Sequence, residues 1–251
     1  MYVAIYSIIV WIATFIGAIT GLGGGIIIKP AFDFVGLDQA AMISVYSTIA
    51  VFSMCIVSLY KRWDDVKNSQ RKIAFGLSIG SILGGLSGEQ IFQMALKDWG
   101  NRLVSLSQSI LLVIILLGII IYAFFQEKIA THSLNQWFGI MVLGWSVGLV
   151  SVFLGIGGGP LNIVLLLYFF SMKSKEAAFY SIQMIFFAQI MKMGSIVTHL
   201  HQILIIFFAF LGGYFGTKIQ KKLTHQQVLT CYHLLMILLL FINLYNVYRR
   251  L

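Results

Sequence analysis

The sequence predicts an all-α integral membrane protein of two inverted repeats, each a broken or re-entrant helix at a GxGGG cluster followed by three transmembrane helices. Composition is the first observation behind this. Of the 251 residues 59% are hydrophobic and 10% charged, and the mean hydropathy is +0.93, far outside the mix of soluble domains. Duplication is the second. Gly21-Leu22-Gly23-Gly24-Gly25 returns 134 residues later (155 − 21) as Gly155-Ile156-Gly157-Gly158-Gly159, and at that offset Tyr46-Ser47 falls on Tyr180-Ser181. Leu83-Gly84-Gly85-x-x-Gly88 falls on Leu211-Gly212-Gly213-x-x-Gly216 at an offset of 128, which needs only a six-residue deletion between. Charge placement is the third. If all eight long segments crossed once, the two sides would carry nine and eight Lys plus Arg. With the two glycine-bearing segments re-entrant, loops 61–72, 126–136, 171–176 and 218–226 share one side with eleven basic residues against six, as the positive-inside rule favours.

Residues 1–125 make the first repeat, 126–135 a linker and 136–251 the second repeat. Met1 to Ile19 has no basic n-region and no small-residue cleavage site, and reads as a retained membrane segment. Ile26 to Val35, interrupted by Pro30, is too short to cross and completes a broken helix over 1–35. A polar link through Asp33 and Asp38 leads into the span 40–60, after which Lys61, Arg62, Lys67, Arg71 and Lys72 crowd one loop. The span 73–93 carries Gly76, Gly80, Gly84 and Gly88 on one face, a ridge suited to close helix packing. Lys97 to Arg102 reads as a loop and 103–125 as the most lipid-like span. The second repeat runs through a broken helix over 137–170 and spans 177–193, 203–217 and 227–248, with Gly212 and Gly216 repeating the ridge. Its loop at 195–202 has no Lys or Arg, so it is expected opposite the basic loop at 61–72.

Several function classes drop out. The 17 Lys and Arg lie in short clusters and form no continuous basic face, which argues against nucleic acid. Cys55 and Cys231 are lone cysteines in apolar runs, read as small core hydrophobes, and no metal-ligand spacing or cofactor motif is present. The GxGxxG spacing of a dinucleotide site is missing. An intramembrane enzyme needs clustered His, Asp or Glu, or a Ser-Lys or Cys-His pair, whereas these spans offer mainly Gly, Ser, Thr and amides. That repertoire binds and releases. An intramembrane enzyme and a passive anion channel stand as the alternatives to a transporter.

Five glycine-rich residues at membrane depth leave backbone groups that lipid cannot satisfy. The short helices that resume near Ile26 and Pro160 aim free N–H groups and positive dipole ends inward, which makes an anion site of Gly23, Gly24, Gly25 and Ile26 with Gly157, Gly158 and Gly159. The competing reading is that these glycines only let helices pack. Ser44, Ser47 and Thr48 in one half, and Ser181, Gln183 and Gln189 in the other, either donate to a bound anion or bond a neighbouring helix. Asn162 stands in the first turn of the second half helix, where a ligand would sit. Glu89, the one carboxylate within a span, is the candidate coupling group, although it lies near the span's end. Lys192 and His199 read as interfacial, reaching the surface by snorkelling.

In both GxGGG clusters, in Pro30 and in both Gly-Gly-x-x-Gly ridges, the whole chain resembles the sulfite exporter TauE/SafE family of anion permeases, also called the toluene-sulfonate uptake permease family. It departs at Pro160, which directly follows the second cluster with no later proline. The resemblance implies transport of sulfite, sulfonates or related organosulfur anions across a bacterial cytoplasmic membrane, outward and ion-coupled, with protons the candidate coupling ion. It does not select one substrate.

Overall fold

The computed structural model describes residues 2–36, 38–68, 70–126, 129, 131–193 and 200–250; His199 and the part of the expected loop up to it lie outside them. The described residues form ten α-helices and no strand: α1 (Tyr2–Thr20), α2 (Gly25–Val35), α3 (Ala40–Lys61), the short α4 (Trp63–Asn68), α5 (Arg71–Phe125), α6 (Trp137–Leu154), α7 (Gly159–Phe170), α8 (Ser174–Met193), α9 (Leu200–Lys222) and α10 (His225–Arg250). Among them α3, α5, α6, α9 and α10 are long and apolar enough to cross a membrane. The protein is a multi-pass membrane protein. At 55 residues α5 is long enough to cross twice at about 20 residues per crossing.

The loop expected at Lys97 to Arg102 is absent. Helix continues on both sides of Gly100, whose φ of 72° and ψ of 171° form a one-residue corner open essentially to glycine alone. Asn101 secures it, its amide donating to Gln39 Oε1 at 3.1 Å while its Oδ1 accepts from the Ala41 N–H at 3.2 Å. The polar residues around Gly100 are therefore the ends of two limbs, 71–99 and 101–125.

Both glycine-broken helices are hairpins. After α1 the chain reverses, so that a Cβ placed on Gly24 would lie 3.0 Å from the Ala13 carbonyl oxygen. Farther along, α2 runs back beside the start of α1, where Phe32 stacks on Tyr6 at 4.1 Å and the Tyr6 hydroxyl donates to Asp38 at 2.5 Å. The second hairpin closes likewise, with the His132 and Leu134 N–H groups donating to the Tyr168 and Phe169 carbonyls, each at 2.8 Å. With 11 and 12 residues, α2 and α7 are about 17 Å long, roughly half the hydrocarbon depth.

The hairpins enter the bundle from opposite ends. The open end of the first lies by Asn101 and by Arg249, which donates to the Phe34 carbonyl at 2.8 Å. The open end of the second lies with the basic loops. There Lys72 bonds Asn135, Arg62 bonds the Lys175 carbonyl at 3.0 Å, and Lys221 bonds the Lys61 carbonyl at 2.6 Å.

Packing between the halves is reciprocal. The glycine ridge of α5 lies on α6, where a Cβ at Gly84 or Gly88 would meet the Trp145 or Leu149 carbonyl oxygen at 2.0 or 2.5 Å. That of α9 lies on α1, where a Cβ at Gly212 or Gly216 would meet the Trp11 or Phe15 carbonyl oxygen at 2.7 or 2.3 Å. Trp145 and Leu149 are Trp11 and Phe15 displaced by 134 positions. Contacts in which i meets j and the counterpart of i meets the counterpart of j are what a two-fold relation produces. The ridges are packing surfaces, as their spacing implied.

Candidate functional site at the hairpin tips

The start of each half helix is set by a glycine, because Gly24 and Gly158 take the N-cap position with φ of 74° and 70°, a backbone that side chains disfavour. Pro160 then sits in the first turn of α7, where its missing N–H costs no helical bond. The two tips meet tightly. A Cβ on Gly25 would fall 2.5 Å from the Ile156 carbonyl oxygen, and one on Gly159 would fall 2.1 Å from that of Leu22, so a methyl group on either forces the tips apart. Leu22, Ile26 and Leu154 are fully buried around this contact.

Each tip is held by the opposite half. Ser47 on α3 donates to the Gly155 carbonyl at 2.9 Å, and Ser181 on α8 donates to the Gly21 carbonyl at 2.8 Å. Val51 and Ile185 line both Gly23 and Gly157. These hydroxyls thus hold backbone. Helix geometry leaves the first N–H groups of α2, at Gly25 and Ile26, and of α7, at Gly159, without a carbonyl one turn back.

Among the remaining predicted residues, Thr48 is buried beside Ser47, and Gln183 is taken up by α5, donating to the Ala74 carbonyl at 3.2 Å and to Ser78 at 2.9 Å. Asn162 differs. It is 1% exposed, neither amide atom has a hydrogen-bond partner, and its Oδ1 lies against Gly158 together with the equally unpartnered hydroxyl of Ser151. Gln189 Oε1 is buried and unpartnered too. Since nearly all buried polar groups in native proteins are satisfied, orphaned donors and acceptors at a helix start mark a place for a polar ligand. Ser151 was not singled out in the sequence, where a lone serine in an apolar helix carries no signal.

Four charges are also buried or half-buried in two ion pairs, of which the Lys29 side chain comes within 3.7 Å of a Cβ placed on Gly155 at the second tip. Asp33 is not in a link but inside α2, in an ion pair with Lys29 at 3.1 Å whose side chains are 5% and 2% exposed. Ser105 donates to its other oxygen at 3.4 Å. Lys192 is not interfacial. Its side chain is 4% exposed, pairs with Glu89 Oε2 at 2.9 Å, donates to the Ser44 hydroxyl at 2.6 Å and lies 4.6 Å over the Phe92 ring. Glu89, 17% exposed, has its other oxygen accepting from Gln93 at 2.6 Å. The cause is helix contact. Gly85 lets α5 touch the Ala188 backbone of α8, where a Cβ would lie 2.4 Å from its carbonyl oxygen, and Glu89 and Lys192 each follow by one turn. Lys29 and Asp33 at i and i+4 in an apolar half helix were visible in the sequence; the Glu89–Lys192 pair joins distant segments and was not.

Over residues 6–244 the chain matches the family model described as Sulfite exporter TauE/SafE. It is 23% identical, over 91% of its own length and 92% of the relative's, to the probable membrane transporter protein YunE of Bacillus subtilis (strain 168). No solved structure matches it. Because the match takes in both hairpins and every helix between them, the chain belongs to the sulfite exporter TauE/SafE family.

Proposed function

We propose that this membrane transporter carries a small sulfur-containing oxyanion, such as sulfite or an organic sulfonate, held where the two hairpin tips meet. The observation that carries the reading is the unpartnered Asn162 amide in the first turn of α7, beside a second half-helix start. Backbone N–H groups, helix dipoles and one neutral amide suit an oxyanion that must also be released.

Alternating access is the transport cycle that two such halves would support. In this reading 1–125 and 136–251 are inverted repeats joined by 126–135, α3, the two limbs of α5, α8, α9 and α10 cross the membrane, and one half rocks against the other around the tips. The charge bias supports the orientation. With Lys29 and Lys192 buried, the six basic residues of the less basic side fall to four, against eleven on the other. The eleven mark the cytoplasmic face of a bacterial membrane, and transport runs outward from it, coupled to protons through Glu89.

Calorimetric titration of the purified protein with sulfite, thiosulfate, sulfoacetate and taurine tests this. At least one should bind with a dissociation constant below about a millimolar, typical of a carrier poised to release, near 4 kcal/mol of binding energy. Asn162→Ala should weaken that affinity at least tenfold while leaving thermal stability unchanged or higher, since it removes an unsatisfied buried amide. Absence of binding by the wild type to all four anions sinks the reading.

A further inference from the structure

The reciprocal packing supplies an internal control for the buried charges. Lys192 corresponds at the 134 offset to Ser58, and Glu89 at the 128 offset to Thr217. These counterparts meet as well. Thr217 donates to the Ser58 hydroxyl at 3.0 Å, one turn beyond the contact of Gly213 with Met54, just as Lys192 and Glu89 meet one turn beyond that of Gly85 with Ala188. The same helix junction, which in each case joins one half to the other, is therefore closed by two neutral hydroxyls at one copy and by an ion pair at its counterpart. Lys29, Asp33 and Ser44 correspond to Ile163, Leu167 and Ala178, so the charged cluster has no charged counterpart.

A buried ion pair loses hydration that its mutual attraction scarcely recovers, and a neutral replacement often leaves a protein as stable. Packing at this junction does not call for charge. What the two lysines approach, one directly and one through Ser44, is the tip of the second hairpin. A Cβ on Gly155 would lie 3.3 Å from the Ser44 hydroxyl, which Lys192 bonds, and 3.7 Å from the Lys29 side chain. Each lysine holds its own carboxylate, but the carboxylates differ in freedom. Asp33 is enclosed, whereas Glu89 is 17% exposed and reaches the outer face of α5 beside Leu86, Gln90, Gln93 and Met94.

We infer that Lys192 is the side-chain cation that receives the transported oxyanion, and that Glu89 is the carboxylate which stands in for it until the anion displaces it. The inference rests on the oxyanion reading above and assigns it a specific partner. Exchange of one anionic oxygen for another keeps the buried ammonium paired throughout, avoiding the cost of an isolated lysine charge at membrane depth. The displaced Glu89 keeps the hydrogen bond that Gln93 donates to it at the outer face of α5. A neutral solute cannot make the exchange. Selection for anions is thus built into the empty carrier.

The decisive variant copies the neutral junction into the charged one: Lys192→Ser with Glu89→Thr. Its melting temperature in detergent should stay within a few degrees of the wild type, while calorimetric affinity for sulfite and sulfoacetate falls at least tenfold. Glu89→Gln alone removes the competitor and should raise the same affinity at least threefold. Wild-type affinity in the double variant overturns the inference, as does unchanged or weaker binding in Glu89→Gln, which decides alone if the double variant fails to fold. Failure of the wild type to bind any sulfur oxyanion removes the function proposed above and this assignment together. Binding by the wild type that survives in the double variant removes only this assignment.

Discussion

A lysine near the end of an apolar run, such as Lys192, reads as snorkelling because its four-carbon stem can reach the interface, and only tertiary contact overrides that. The override comes from Gly85, small enough to bring α8 against α5 one turn before Lys192, so that the ammonium meets Glu89 instead of water. Asn162 could be singled out because its position in a half helix is a matter of local sequence. Glu89 could be singled out because a carboxylate in a span is costly. Its partner could not, since Glu89 and Lys192 lie in different halves. A prediction belongs to this pair. The groups around Glu89 are Lys192 and Gln93, with Lys29 and Asp33 beyond them, and Glu89→Gln removes the carboxylate that competes for Lys192. If Glu89 is the coupling group, flux through the variant in proteoliposomes should lose the pH dependence of the wild type. A wild-type profile in the variant would show that the coupling group lies elsewhere.

Reversal of the chain at a glycine cluster is the main property of the elements that bear the site. The clusters announced a break in the chain but not its angle, which length and apolarity of α6 do not set. What turns the chain back is positive φ at Gly155, Gly157 and Gly158, a property of backbone that the sequence only permits. The charged stretch at Lys97 to Arg102 resembled a loop yet hides a single-glycine corner. Ser47 and Ser181 offer a symmetric test, because each donates to the carbonyl at the opposite tip. Ser47→Ala and Ser181→Ala should each destabilise the protein by about 1–3 kcal/mol, the cost of leaving a buried carbonyl unpaired. Unfolding in mild detergent, followed by helix signal, would measure both. Loss in one variant alone would mean that the two tips are not held equivalently.

At the scale of the molecule, helical class and membrane residence were readable from composition, since no soluble domain is so apolar. Which helix of one half meets which of the other was not readable, because that depends on shape at carbonyl contacts of the glycine ridges. The proposed inversion is open to direct measurement. With Cys55→Ala and Cys231→Ser as background, a single cysteine at Asp64 or at Asn101 should react with an impermeant maleimide from opposite sides of the membrane. Labelling of both from one side would refute two inverted halves. The ridge contacts have a further consequence, for synthesis. The seat of α1 is the face of α9 carrying Gly212 and Gly216, which a ribosome working at about 5–20 residues per second delivers on the order of 10–40 s after α1 itself. Throughout that interval the first hairpin lacks both its packing partner and the hydroxyl that caps its tip carbonyl, since Ser181 is also still to come. Nascent chains arrested before α8 should therefore be held by insertion machinery or degraded.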